Sequence, residues 1–173
     1  MRAAAKKEAV RKNEIATPGN LGEKAVPYSK RGIVIEDRVN QYMQSLRQNS
    51  DFIETPPGEI KLQDLAILST ETGVEYSLLT ISEKNYLVRG SEKKTTIPET
   101  LVQMLIDNIG TLDCHSHPYI GDLIPSDSDK DFLKQLMWQR ESVIIDPIQN
   151  TAIIQFNGPK CMYPILPNFA FRK

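Results

Sequence analysis

The order in which strand-like and helix-like patterns follow one another limits the possible folds most strongly. Residues 74–81 and 85–89 are rich in β-branched and aromatic residues and are separated by a short polar turn, which predicts a β-hairpin. A helical pattern that starts at Ile35 precedes the hairpin, and alternating helix and strand patterns follow it. A hairpin combined with crossover connections is typical of neither a helical bundle nor a β-sandwich. The order therefore predicts an α/β (α+β) fold in which helices flank a mixed β-sheet.

The elements after the hairpin have clear boundary signals. Pro98 opens a predicted helix that ends at Gly110, and Pro125-Ser126 opens another. Residues 60–68 form too short an apolar run for periodicity to decide between strand and helix, so this segment stays open. Further strands are predicted at residues 111–117, 142–146 and 151–156.

Length and charge predict one domain with an attached tail. A chain of 173 residues, 40% of them hydrophobic, is long enough for one core and too short for two. Residues 1–31 hold eight Lys/Arg and three acidic residues, with few large apolar side chains, which predicts a basic, flexible N-terminal tail. Residues 32–173 carry a formal charge of −6 and are predicted to form the domain.

Several classes of function are disfavoured by composition. The acidic domain gives no strong signal for nucleic acid, because affinity for phosphates follows clustered Lys/Arg. No apolar run approaches the roughly 18 residues of a membrane span, and the N-terminus lacks the apolar segment of a secretory signal, so we expect a cytoplasmic protein. Cys114 and Cys161 are too few for a disulfide framework and are expected to be small buried residues.

The two histidines of the chain, His115 and His117, are separated by one residue on a predicted strand. Their side chains should therefore share one face of the sheet, while Cys114 and Ser116 face the other way. Two imidazoles on a rigid strand suit Zn²⁺, which needs a third ligand. Asp129, in the first turn of the next predicted helix, could supply it. Two His and one Asp leave one position open for water, as in catalytic zinc sites.

Structural explanations of these residues stay open. A His-x-His pair is common without a metal. Ser126 is a good helix N-cap, and Asp129 stands where a capping acid favours the helix dipole. Asp122 is explained as a loop acid, and Asp127 and Asp131 as acids at the start of a helix.

The order of the motifs resembles a known family. The segments His115-Ser116-His117-Pro118 and Pro125-Ser126-Asp127-Ser128-Asp129 resemble the JAMM signature of the MPN/JAB-domain metalloproteases, H-[ST]-H-P followed by P-S-x-x-D. The resemblance covers about residues 60–156. It implies a curved mixed sheet between helices, the MPN/JAB-like (cytidine-deaminase-like) fold, with the metal at one edge.

The resemblance also implies roles for single residues. The zinc ligands of the family correspond to His115, His117 and Asp129, and the serine that stabilises the oxyanion corresponds to Ser126. The loop between the second His and this Ser has eight residues, 118–125, where members of the family typically have seven.

The family places its general base, a Glu, in an upstream strand of the type E-x-x-G-x-L-x-G. The candidates here are Glu75 and Glu71. Glu75 is favoured because it opens a predicted strand from which its carboxylate could face the metal, whereas Glu71 lies in a turn-like segment. Ser77 and Leu78 stand where the family usually has glycines.

Residues 72–79 and 87–90 look like a bacterial or phage-associated branch of the family. The implied function is zinc-dependent hydrolysis of a peptide or isopeptide bond in a protein substrate, ubiquitin-like proteins among them. The alternative is a non-catalytic scaffold or assembly module, for example one associated with a phage head, that docks to a larger complex through the basic tail. A DNA-associated role ranks last because the domain is acidic.

Overall fold

The structure is a computed structural model that describes residues 14–16 and 22–155. Within these ranges, the strands and helices follow in the order β1 (Glu14–Ala16), α1 (Asp37–Ser45), β2 (Phe52–Thr55), α2 (Leu62–Thr72), β3 (Tyr76–Ile81), β4 (Lys84–Arg89), β5 (Lys94–Thr96), α3 (Glu99–Asp107), β6 (Thr111–Ser116), α4 (Asp127–Gln135), β7 (Glu141–Ile145) and β8 (Thr151–Gln155). One short 3₁₀ helix, Ser29–Arg31, precedes α1.

Six strands form one mixed sheet, in the spatial order β2, β4, β3, β6, β7 and β8. Neighbouring strands are antiparallel except β6 and β7, which are parallel and are joined through α4. Strands β1 and β5 form a separate two-stranded antiparallel ladder. A mixed sheet flanked by helices confirms the predicted α/β class.

The hairpin and the three predicted helices are confirmed. Strands β3 and β4 pair along their whole length, and Ser82 and Glu83 connect them with φ of 48° and 62°. Two successive left-handed residues are typical of the type I′ turn, whose twist matches that of the strands. Helices α1, α3 and α4 begin close to the predicted positions.

Residues 60–68, which the sequence left undecided, belong mostly to helix α2. Asp64 Oδ2 accepts a hydrogen bond from Lys61 N at 2.7 Å at its start, and Gly73, with φ of 70°, ends it. Leu65 and Leu68 are fully buried against the sheet. The run is almost continuously apolar because the helix is covered on most of its surface.

The core has two parts, one on each face of the sheet. Helices α1 and α2 cover one face, where Leu78 and Cys114 are buried. Helices α3 and α4 cover the other, where Leu79 and Leu112 are buried. The burial predicted for Cys114 is confirmed, while the same prediction for Cys161 falls outside the described residues.

Parts of the predicted N-terminal tail pack on the domain. Residues 14–16 form β1 along β5, and Tyr28 is buried with its hydroxyl donating to Pro147 O at 2.9 Å. Residues 1–13 and 17–21 lie outside the described residues, so flexibility there stays a prediction. Among the helices of the described ranges, none is both long and apolar enough to cross a membrane.

Candidate metal centre

His115 and His117 lie at the end of β6 with their rings side by side. Their Nε2 atoms are 3.1 Å apart, and neither side chain is exposed to solvent. His117 N donates to Ile145 O at 2.9 Å, which continues the pairing of β6 with the parallel strand β7. The two imidazoles are therefore fixed by the sheet and directed at a common point.

A β-bulge decides which face of the sheet the histidines occupy. Leu78 pairs with Cys114 but Leu79 pairs with Leu112, so Asp113 is an extra residue in β6. The bulge changes the phase of the side chains, and His115 therefore lies on the same face as Leu112, towards α4. Without the extra residue the histidines would face α1 and α2. Bulges of this kind re-aim side chains next to functional sites.

Asp129 combines a structural contact with a position beside the histidines. Its Oδ2 accepts a hydrogen bond from Ser126 N at 2.6 Å, and Ser126 Oγ accepts one from Asp129 N at 3.1 Å. This capping box starts α4. The other carboxylate oxygen, Oδ1, lies 3.7 Å from His115 Nε2. The capping explanation and the ligand explanation of Asp129 are thus compatible, since each uses a different oxygen.

The three side chains fit a metal ion. One ligand atom from each of His115, His117 and Asp129 lies within 4.8 Å of the others, so the group could hold a divalent cation. Burial, together with the neighbouring His117, holds the pKa of His115 well below its ordinary value. The neutral imidazole that results is the form that binds metals.

The two ring nitrogens of His115 have different surroundings. A buried histidine is expected to have both ring nitrogens paired, whether it serves packing or binds a metal through one of them. His115 Nδ1 is buried and has no hydrogen-bond partner among the described residues. Its Nε2 lies 3.1 Å from His117 Nε2 and 3.7 Å from Asp129 Oδ1. Nε2 is therefore the nitrogen that could face a cation, and the unpaired Nδ1 does not by itself distinguish a metal ligand from a structural histidine.

Asp122 fixes the second imidazole. His117 Nδ1 donates to the backbone oxygen of Asp122 at 2.8 Å and lies 3.3 Å from its Oδ2. With the proton on Nδ1, the lone pair of Nε2 faces the site. The sequence explained Asp122 only as a loop acid. Its position five residues after His117 was the available signal, but the contact depends on how the loop closes.

The loop of residues 118–125 is tied down at several points. Gly121, with φ of 75°, donates from its N to Asp146 Oδ2 at 2.9 Å, directly after β7. The hydroxyl of Tyr119 donates to the carboxylate of Glu92. These contacts hold the loop in one shape and so place Asp122 beside His117.

Glu75 precedes β3 and is fully buried. Its backbone pairs with β4, since Gly90 N donates to Glu75 O at 2.8 Å. Ser77 is paired with His115, so alternation places Glu75 on the same face, opposite His117. Glu75 does not belong to the group of His115, His117 and Asp129, whose ligand atoms lie within 4.8 Å of one another.

Glu71, the second candidate base, binds the N-terminal 3₁₀ helix. The carboxylate of Glu71 accepts hydrogen bonds from Ser29 N at 2.9 Å and from Ser29 Oγ at 2.5 Å. It therefore holds the N-terminal 3₁₀ helix against α2.

Cys114 lies on the opposite face of the sheet from the histidines, and burial raises the pKa of its thiol well above the ordinary value. Cys114 is thus poorly suited to be a nucleophile.

Comparison with models of protein families, with curated proteins and with solved structures gives no match. Function is therefore inferred from the chemistry of the site. Of the sequence-predicted residues, the structure brings His115, His117 and Asp129 together, places Glu75 directly before the neighbouring strand β3 and puts Ser126 at the start of α4.

Proposed function

We propose that the chain is a zinc-dependent hydrolase of peptide or isopeptide bonds, of the JAMM type and with the MPN/JAB-like fold. The observation that carries the proposal is the buried group of His115, His117 and Asp129, whose ligand atoms lie within 4.8 Å of one another. Two imidazoles and one carboxylate leave one position open on a tetrahedral ion, as in catalytic sites. The same residues stand in the order of the JAMM signature.

Zinc is the proposed ion because hydrolysis involves no redox change. Imidazole and carboxylate ligands suit Zn²⁺, which has no redox chemistry of its own. When bound, zinc would lower the pKa of a water to roughly 7 and polarise a carbonyl group. The proposed substrate is a protein or peptide, ubiquitin-like proteins included.

The side chains of the chain would supply the proton transfers. Glu75 would take the proton of the attacking water and deliver it to the leaving amine. Ser126 Oγ accepts a hydrogen bond from Asp129 N, which leaves the hydroxyl proton to be donated to the oxyanion.

The substitution Glu75→Gln tests the assignment of the base. We expect the variant to keep one zinc ion and to lose hydrolysis by a factor of about 100 or more, because the water then has no acceptor for its proton. Zinc content and turnover of a library of quenched fluorescent peptides and of an isopeptide-linked ubiquitin dimer are the measurements. Glu71→Gln is the matched control and should keep wild-type turnover. Full activity of Glu75→Gln with zinc bound would show that the base lies elsewhere.

One observation favours a second candidate, a non-catalytic scaffold or assembly module. His115, His117, Asp129 and Glu75 are all 0% exposed, and a hydrolase must admit its substrate. In the scaffold the metal would stabilise the fold only. A zinc-loaded protein that cleaves none of these substrates, with or without the N-terminal segment displaced, would support this alternative.

A further inference from the structure

The N-terminal strand lies next to the elements that enclose the metal site. Strand β1 pairs with β5 and also contacts α4. Helix α4 carries Asp129. Strand β5 carries Thr95, whose Oγ1 donates to Glu75 Oε2 at 3.5 Å. Residues 14–16 thus bridge the element that bears a ligand and the strand that contacts the candidate base.

We propose that β5 is the strand on which the substrate docks, as an extended peptide, and that residues 14–16 occupy this place as an internal pseudosubstrate. The inference rests on the proposed function, and it explains why the site is closed. It also narrows the substrate class to segments that can present an extended backbone, such as chain termini and linkers.

A different peptide could take the place of β1 in its pairing with β5. Ile15 is the register partner of Thr95, with Glu14 opposite Thr96 and Ala16 opposite Lys94. Antiparallel pairing joins backbone N–H and C=O groups, so it accepts many sequences. A ladder of three residue pairs is also too short to be stable by itself. Replacing β1 with a substrate segment therefore costs little free energy.

A short tether explains why this weak strand nevertheless occupies the site. Lys24 Nζ lies 2.7 Å from Glu92 Oε1, and Ile120 N donates to Glu23 O at 2.9 Å, so the chain is anchored shortly after β1. Five residues, 17–21, separate Ala16 from Gly22. Such a short connection gives the tethered strand an effective concentration on the order of millimolar.

Gly90 sets the distance between β5 and the site. A Cβ atom at this position would lie 2.5 Å from Thr95 Oγ1 and 2.6 Å from Lys94 O. The backbone of Gly90 is the pairing partner of Glu75. Only glycine therefore allows β5 to lie this close to the candidate base.

The test uses the full chain with Ile15→Pro, which removes a backbone donor from β1 and fixes φ. Ala9→Pro, five residues before β1, is the matched control. The probe is a fluorescein-labelled peptide of residues 11–19, and the same peptide with proline in place of isoleucine is the control ligand. We expect Ile15→Pro to bind the probe at least about tenfold more tightly than wild type or Ala9→Pro, and the proline peptide not to bind.

A second measurement is independent of peptide binding and of hydrolysis. The rate at which a chelator removes zinc should rise about tenfold or more in Ile15→Pro, because the site opens. Equal probe affinity and equal zinc loss in wild type, Ile15→Pro and Ala9→Pro would overturn the inference, even if the protein hydrolyses peptides. Tight binding to Ile15→Pro without hydrolysis by any variant would instead support the docking strand and contradict the proposed hydrolase.

Discussion

Asp129 is expected to be both a cap and a ligand, and two substitutions can separate these functions. Its Oδ2 accepts from Ser126 N at 2.6 Å, while Oδ1 lies 3.7 Å from His115 Nε2. Ser126→Ala breaks the capping box and leaves the carboxylate in place, whereas Asp129→Ala removes both. Without metal, each change should lower the free energy of unfolding by about 1 kcal/mol. For a domain of this size that is about 2–4 °C in Tm.

Zinc should distinguish the two variants. At a free zinc concentration of about 100 times Kd, binding adds about 2.7 kcal/mol to the stability of the folded state. At about 2–4 °C per kcal/mol, this stabilisation raises Tm by about 5–11 °C. We expect wild type and Ser126→Ala to show this increase, and Asp129→Ala to lose most of it because one of three ligands is missing.

The assay is thermal unfolding followed by circular dichroism, with and without zinc. Asp127→Ala is the control, because the side chain of Asp127 is 99% exposed and its Oδ1 lies 3.6 Å from Lys130 Nζ. It should change neither the metal-free Tm nor the zinc-induced increase by more than about 2 °C. A full zinc-induced increase in Asp129→Ala would show that Asp129 is only a capping acid. Loss of the increase in Ser126→Ala would show that the cap, and not the carboxylate, governs metal binding.

Three further predictions follow from single contacts. Asp122→Ala should weaken zinc binding about tenfold in a chelator competition, because His117 loses the carboxylate beside its Nδ1 but keeps the hydrogen bond to the backbone oxygen of residue 122. An unchanged affinity would contradict this prediction. In a Cys161→Ser background, Cys114 should not react with a thiol reagent at pH 8 until the protein unfolds, because burial raises the pKa of its thiol. Rapid labelling of the folded protein would refute this prediction. Arg38→Ala should lower the free energy of unfolding, measured in urea, by about 3 kcal/mol, because Asp64 then stays buried without its 2.7 Å ion pair. A loss below about 1 kcal/mol would contradict this prediction.

The elements that the sequence predicted are those with strong local signals. The hairpin of β3 and β4 and the helices that begin near Pro98 and Ser126 combine periodic apolar residues with turn or cap residues. Strands β1, β2 and β5 have three or four residues each and were not predicted, because their stability comes from pairing with distant strands. Helix α2 was ambiguous because burial on most sides removes its periodicity.

The candidate site was predictable only in part, for similar reasons. The spacing of His115 and His117 places both rings on one face, but which face depends on the bulge at Asp113. Spacing alone also left open whether Asp129 caps the helix or faces the histidines. The contact of Asp122 with His117 depends on the closure of a loop, which the sequence does not encode in any local pattern.

The most direct test of the central claim is the anomalous diffraction of crystals of the full chain grown with zinc, measured on both sides of the zinc absorption edge. We expect one strong peak per chain, about 2.0–2.2 Å from the Nε2 atoms of His115 and His117 and from a carboxylate oxygen of Asp129. A peak at any other site, or none between these three side chains, would contradict the metal centre and the hydrolase proposed from it.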